Sequence, residues 1–227
     1  MIIYEQIFKK YGLSATQQQI IKLIGADKVV LEVGSSTGYM TRVFLQNRCL
    51  VDVVEKDQKA LAKLPKSARK ILNYSIEDNK LKNLLPGDYD FIVLADVLEH
   101  LVKPERALEI LFDIAGNKTQ LLLSLPNIAS WPMRKQLFFR GDFEYQESGL
   151  LDKTHLHFYT VNSLPKLLKK CGWKVDKIIG TITRLPLEES INKIPVISLF
   201  YRRFIRQNLV EQFKNLSYYH FLVVATK

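Results

Sequence analysis

Carboxylates and imidazoles crowd two short stretches of the chain. Glu99 and His100 follow an apolar run, and His155 and His157 lie within Gly149-Leu-Leu-Asp-Lys-Thr-His-Leu-His-Phe-Tyr-Thr160. A glutamate or histidine within hydrogen-bond reach of a nucleophile can take its proton as a new bond forms. If the second stretch is extended, alternation turns the rings of His155 and His157 to one side. The ordinary alternative for each imidazole is a hydrogen bond to backbone in a connection, so these groups do chemistry only if folding gathers them.

A second constellation reads as a ligand site. Val29-Val-Leu-Glu-Val has the character of a buried strand and runs into Gly34-Ser-Ser-Thr-Gly38. Glycine allows a tight turn and close approach of a ligand. The helix start beyond it offers unpaired N–H groups to a polar or anionic group such as a carboxylate. A dinucleotide fingerprint would have glycine at 34, 36 and 39, whereas Ser36 and Tyr39 stand here. That disfavours nicotinamide and flavin cofactors. The pattern is instead Glu32-x-Gly34-x-x-x-Gly38, and the Glu32 carboxylate suits an ammonium. Glu55, 17 residues past Gly38, ends the next strand, where an acid can accept both hydroxyls of a ribose. The implied ligand has an amino acid at one end and a ribose at the other.

Such sites require a scaffold that brings several strand ends to one edge. Short β-branched or apolar runs alternate with stretches of helical period, the pattern of an α/β protein whose parallel sheet is covered on both faces. Strands are expected at 28–33, 50–55, 71–76, 90–95 and 120–125, and helices at 37–46, 58–64, 104–115 and 162–170. Pro104 suits a first helical turn and Gly116 a stop. Residues 173–182 and 218–226 read as an antiparallel terminal pair, with 188–213 mostly helical between them. The absence of linkers and repeats predicts one domain over 1–227, with insertions at 130–159 and 188–214 on its upper surface.

In this order the motifs resemble the class I S-adenosylmethionine-dependent methyltransferases, over nearly the whole chain from Thr16 onward. Tyr89-Asp-Phe-Ile-Val-Leu-Ala-Asp-Val-Leu-Glu-His-Leu101 is similar to that family's fourth strand and its continuation. The resemblance implies a Rossmann-like, doubly wound seven-stranded sheet of order 3-2-1-4-5-7-6 with strand 7 antiparallel. It further implies that Glu32 and the backbone around Gly34, Ser36 and Gly38 hold the methionine part. Glu55 would hold the ribose, Ser75 and Ile76 the adenine edge, and Asp96 would close the pocket. Ser36 stands in place of a frequent glycine, and Ser75 where many relatives carry an aspartate.

Transfer of a methyl group from a sulfonium is an in-line displacement that depends on alignment and exclusion of water. Glu99, His100 and His155 are the expected catalytic residues. The succession Leu-Glu-His, Leu-Pro-Asn, Asp-x-Thr-His resembles bacterial O-methyltransferases of surface-polysaccharide assembly and, more distantly, of the ubiquinone pathway. This implies a small-molecule, glycan or lipid-linked hydroxyl acceptor. Asp96, Glu99, His100 and His155 are also similar to the four metal ligands of small-RNA 3′-terminal 2′-O-methyltransferases. Two carboxylates and two imidazoles suit Mg²⁺ or Mn²⁺, and an RNA acceptor is the corresponding alternative. A protein that binds the cofactor without turnover and acts through a partner or a membrane surface is another.

Composition bounds these expectations. The 227 residues are 47% apolar, enough for a full-sized core. Cys49 and Cys171 show no metal-ligand spacing and read as buried thiols. The net charge is +10, and residues 151–227 hold 13 Lys and Arg against 5 Asp and Glu. Such an excess attracts phosphates, nucleic acid or anionic membrane, or forms a solvated face. Basic and aromatic residues do not interleave as in RNA-binding modules. The longest apolar runs fall short of the ~20 residues of a membrane span, and no leader-like segment is seen, so a cytoplasmic location is expected. Residues 195–206 combine bulky apolar side chains with arginines at near-helical spacing, suited to an anionic membrane surface or to packing on the sheet. Residues 130–145 are rich in aromatics, suited to an acceptor wall or a satellite core.

Overall fold

The apolar runs become seven strands: β1 (Val29–Val33), β2 (Leu50–Val54), β3 (Lys70–Leu72), β4 (Phe91–Ala95), β5 (Gln120–Pro126), β6 (Lys174–Ile182) and β7 (Tyr218–Thr226). The structure is a computed structural model and describes residues 6, 8, 10–183, 188–191, 193, 198–199, 201 and 205–227. The strands form one sheet of order 3-2-1-4-5-7-6, parallel from β3 to β5, with β7 antiparallel to both of its neighbours. Both the order and the reversed last strand match the expectation from sequence.

Helices α1 (Ala15–Ile24), α2 (Tyr39–Gln46), α3 (Gln58–Leu61), α4 (Leu81–Leu84), α5 (Pro104–Ile114), α6 (Trp131–Arg140) and α7 (Ser163–Lys170) accompany the sheet. Short helices α8 (Glu188–Ile191), α9 (Arg206–Gln212) and α10 (Lys214–Ser217) precede β7. Successive strand residues face opposite ways, and each face has its own core. Leu31, Ile92, Leu94, Leu121 and Leu123 pack with Leu108 and Leu111 of α5 and with Trp173. Val30, Val51, Val53, Val93 and Leu122 pack with Ile20 and Ile24 of α1 and with Met40 and Phe44 of α2. Burial on both faces is why the central strands are continuous apolar runs. Cys49 and Cys171 are free and buried.

Helix α4 was not expected, α3 ends at Leu61 instead of at residue 64, and three further elements differ from expectation. Strand β3 stops at Leu72, because the Asn73 side-chain amide donates to the carbonyls of Glu55 and Lys56 and ends the ladder with β2. Ser75 and Ile76 therefore lie in a loop. Helix α1 was not anticipated, although Ser14 and Gln17 form a reciprocal capping box at its start, a signal legible in Ser14-Ala-Thr-Gln17. The insertion at 130–159 contains α6, which has Pro132 in its first turn and ends at Gly141 with φ 63°. Most of the expected surface helix at 195–206 lies outside the described residues. No helix among the described residues is long and apolar enough to cross a membrane.

Candidate active site

The carboxyl ends of β1, β2 and β4 open on a cavity of about 430 Å³. Gly34, Ser36, Glu55, Ser75, Ile76, Asp96 and His100 line it, together with Val97 and Leu101. Ser36 and Asp96 hold left-handed backbone, at φ 50° and 58°, a conformation that costs a non-glycine residue about 1–2 kcal/mol. At Ser36 the strain turns the N–H onto Glu55 Oε2 at 2.8 Å, while the Asp57 N–H donates to Oε1 at 2.9 Å. Each Glu55 oxygen is thus aimed by one N–H and keeps a lone pair for a further donor.

Two of the expected residues, Glu32 and Gly38, stand behind the cavity wall rather than on it. Glu32 is 4% exposed and accepts a 2.6 Å hydrogen bond from the Thr41 hydroxyl. Burial lifts its carboxyl to about 8; the Thr41 bond opposes the rise and the Glu55 charge adds to it. Gly34, at φ 70°, is on the wall, and a Cβ there would lie 2.6 Å from Val97 Cγ2. Gly34→Ala is expected to lower stability by about 2–3 kcal/mol through clash and strain together. Urea unfolding of the variant measures this, and a loss below half a kcal/mol would mean the turn is less constrained than its geometry implies.

A second cavity, of about 450 Å³, adjoins the first and shares Asp96 and His100 with it. Its walls include Thr16, Glu99, Leu150, His155, Tyr219 and His220. Asp96 bends the chain away from β4, its N–H donating to the Ser124 carbonyl at 3.1 Å. Its carboxylate accepts from Ser124 Oγ at 3.0 Å and meets His220 Nε2 at 2.7 Å. Burial favours the neutral acid, but the charge and hydrogen bond of His220, with the Ser124 bond, hold the Asp96 carboxyl below its ordinary range.

Glu99 and His100 lie on a single 3₁₀ turn, Leu98–His100. The Glu99 side chain is 1% exposed, and neither of its oxygens has a hydrogen-bond partner among the described residues. Burial, reinforced by the Asp96 charge, pushes its carboxyl well above the usual range. The Glu99 backbone carbonyl accepts from the N–H groups of Leu156 and His157, at 2.8 and 3.2 Å, and so fastens the second histidine segment to this turn.

The imidazoles of His100 and His155 are both oriented through Nδ1. That atom in His155 lies 3.2 Å from the Leu150 carbonyl, and in His100 it lies 3.1 Å from the Thr154 carbonyl. A carbonyl only accepts, so in the neutral rings the proton is on Nδ1 and the lone pair on Nε2. His155 Nε2 is 3.9 Å from Glu99 Oε1, and the two rings meet edge to face with centroids 4.8 Å apart. Burial and the neighbouring His100 lower the His155 pKa and keep its ring neutral. Ligand-type atoms of Glu99, His100 and His155 all lie within 4.8 Å of one another. Asp96 is outside that group, engaged instead by His220, and His157 is elsewhere, its ring beside Tyr159.

His220 and Thr154 were not anticipated from the sequence. His220 is 124 positions from Asp96, and no local spacing connects them. The usable signal was topological: an antiparallel strand beside β5 puts its first residues at the carboxyl edge, and His220 pairs with Pro126 in the register. In the aromatic insertion, Met133, Leu150 and Leu151 form a small separate core with Ile128 and Phe158. Phe158 also touches His155, Phe143 and Tyr145, at ring distances of 6.2, 5.5 and 6.3 Å.

A family model described as "Methyltransferase domain" matches residues 5–178. Among curated proteins none matches the chain. Solved structures share its fold over nearly its full length. A SAM-dependent methyltransferase of Archaeoglobus fulgidus is 15% identical, with a TM-score of 0.65 over 99% of both chains. One of Thermotoga maritima, described as a possible histamine N-methyltransferase, is 16% identical, with a TM-score of 0.65 over 99% of this chain and 94% of that one. Phosphoethanolamine N-methyltransferase 2 of Haemonchus contortus, in complex with S-adenosyl-L-methionine, is 13% identical, with a TM-score of 0.57 over 95% of this chain and 53% of that one.

Proposed function

The chain belongs to the methyltransferase-domain family, and from that premise we propose that it methylates a hydroxyl oxygen of a small-molecule, glycan or lipid-linked acceptor seated in the second cavity. It is an S-adenosylmethionine-dependent enzyme. The first cavity fits that donor. Glu55 has two aimed oxygens with lone pairs to spare for ribose hydroxyls, Ile76, Val97 and Leu101 give an apolar wall for a purine, and the Glu32 carboxyl behind the wall, protonated at neutral pH by burial, would ionise as the counter-charge when an ammonium is brought against it. When bound, the donor supplies a methyl group already activated on a sulfonium.

The observation that carries the proposal is the wall of Asp96 and His100 common to both cavities, with Glu99 and His155 on the far side. An acceptor in the second cavity would meet the donor where the two cavities adjoin, beside Asp96 and His100. His155 holds a free Nε2 lone pair on a ring kept neutral by burial and fixed by the Leu150 carbonyl. It takes the hydroxyl proton as the new O–C bond forms and the S–C bond breaks. An amine acceptor would need no such base beyond being neutral, so the acid and imidazole cluster favours oxygen.

A second arrangement is favoured by the unpartnered Glu99. One carboxylate and two imidazoles suit a divalent first-row cation such as Mn²⁺, which would lower the pKa of an acceptor hydroxyl. Glu99, His100 and His155 would hold it. Donor-labelled methylation assays over glycans, quinols, amines and RNA identify the acceptor. On a hydroxyl acceptor, His155→Ala is expected to reduce kcat by about 10²–10⁴ and to leave S-adenosylhomocysteine binding unchanged. Loss of turnover on chelation, restored by Mn²⁺, assigns deprotonation to the cation, and undiminished turnover assigns it to His155. Methylation confined to amines or RNA, or a His155→Ala enzyme as fast as the parent, overturns the proposal.

A further inference from the structure

Helix α6 turns an unusual face to solvent. Phe138 is 83% exposed and Phe139 68%, although both belong to a regular helix with a buried side. At about 100° per residue, Arg134, Phe138, Trp131, Lys135 and Phe139 fall in one arc of roughly 140°. Arg134 precedes Phe138 by one turn, as Lys135 precedes Phe139, and both cations are exposed. Met133, on the other side, is buried against Leu150, itself a wall of the second cavity. Helix α6 carries no acidic residue. The carboxylates of Asp142 and Glu144 follow only after the left-handed turn at Gly141, and that of Glu147 is paired with Lys153.

We propose that this face of α6 docks on an anionic lipid bilayer, with Phe138 and Phe139 inserted at the headgroup boundary and Arg134 and Lys135 on lipid phosphates. Two aromatic rings flanked by cations one turn away satisfy both demands of such a surface at once, apolar burial and negative charge. The chain's net charge of +10 acts in the same direction. A second copy of the chain is a poor occupant, because a two-fold contact would bring Arg134 and Lys135 against their own equivalents. Since α6 rests on Leu150, a bilayer held there lies one helix away from the second cavity, within reach of a lipid-anchored acceptor. That consequence rests on the acceptor assignment above, whereas docking itself does not.

Co-sedimentation tests the docking without turnover. With vesicles of phosphatidylglycerol and phosphatidylcholine the protein is expected to pellet, with pure phosphatidylcholine to stay in solution, and with added salt to be released. Trp131 emission should shift to the blue on binding, while Trp173, 1% exposed, stays constant. The double variant Phe138→Asp, Phe139→Asp should bind at least about tenfold more weakly, with an unchanged circular dichroism spectrum and unchanged S-adenosylhomocysteine binding. Protein that remains in solution with anionic vesicles at low salt, or a double variant that pellets like the parent, refutes the proposal. So does a dimer, seen by light scattering, that the double variant dissolves.

Discussion

Glu32→Gln is expected to be more stable than the parent at alkaline pH and nearly matched to it at acid pH, a gap that widens by about 3 kcal/mol between pH 5 and 8. The sign follows from the raised pKa. Unfolded, Glu32 titrates near 4.5; folded, burial holds it at about 8. Between those values the folded protein keeps a proton that the unfolded chain has released. The contribution of this group is complete below 4.5 and is lost as pH rises through 8. A glutamine has the same shape, can still accept from the Thr41 hydroxyl, and has no proton to release. Urea unfolding of both proteins at pH 5 and 8 reads the difference directly. Parallel stabilities at the two pH values would show that burial does not raise this carboxyl. Saturation with S-adenosylhomocysteine, whose amino acid part is an ammonium, should remove most of the parent's slope. A slope that survives the ligand makes Glu32 a structural carboxyl instead of the ammonium's counter-charge.

Glu55→Ala should weaken S-adenosylhomocysteine binding by about 10²–10³. The two charge-assisted bonds proposed to ribose hydroxyls would be lost, and the damage would spread further. The Ser36 N–H at 2.8 Å and the Asp57 N–H at 2.9 Å lose their acceptor, and with the first goes what offsets the left-handed backbone of Ser36. Glu55→Gln is expected to recover little, since its amide would present N–H groups to one of those same donors. Calorimetric titration decides it. An alanine variant with affinity within threefold of the parent would remove Glu55 from the donor site.

The sequence was most informative where one physical requirement dominates. Strands buried on both faces must be apolar throughout, and the run from Val29 to Val33 or from Gln120 to Leu125 admits little else, so the parallel sheet was readable, while its order came from the family resemblance. Local turn chemistry was readable too: Gly34 occupies a left-handed position where any side chain would strike Val97. The end of β3 was not, because it depends on one amide, that of Asn73, capturing two carbonyls of a different strand. The site divides in the same way. Glu99, His100 and His155 could be chosen by residue type, and the structure brings them together. That Asp96 leaves this group for His220 depends on β7 lying beside β5, a contact across more than half the chain. Glu32 and Glu55 looked alike in sequence, both acids at strand ends, yet one is sealed behind the wall and the other lies on it.

The position of β7 also affects the order of assembly. Among the described residues strand β6 pairs only with β7, and β7 brings His220 and Tyr219 to the second cavity. The first cavity draws mainly on β1, β2, β4 and the loop after β3, in the first half of the chain, with Thr154 joining from the second half. On the proposed assignment of the two cavities, an intermediate in which β7 has not yet docked has most of a donor site, without the His220 contact to Asp96, and an incomplete acceptor site. Such an intermediate is expected to bind S-adenosylmethionine as a ligand that stabilises the fold, and to gain turnover only when its last strand is in place.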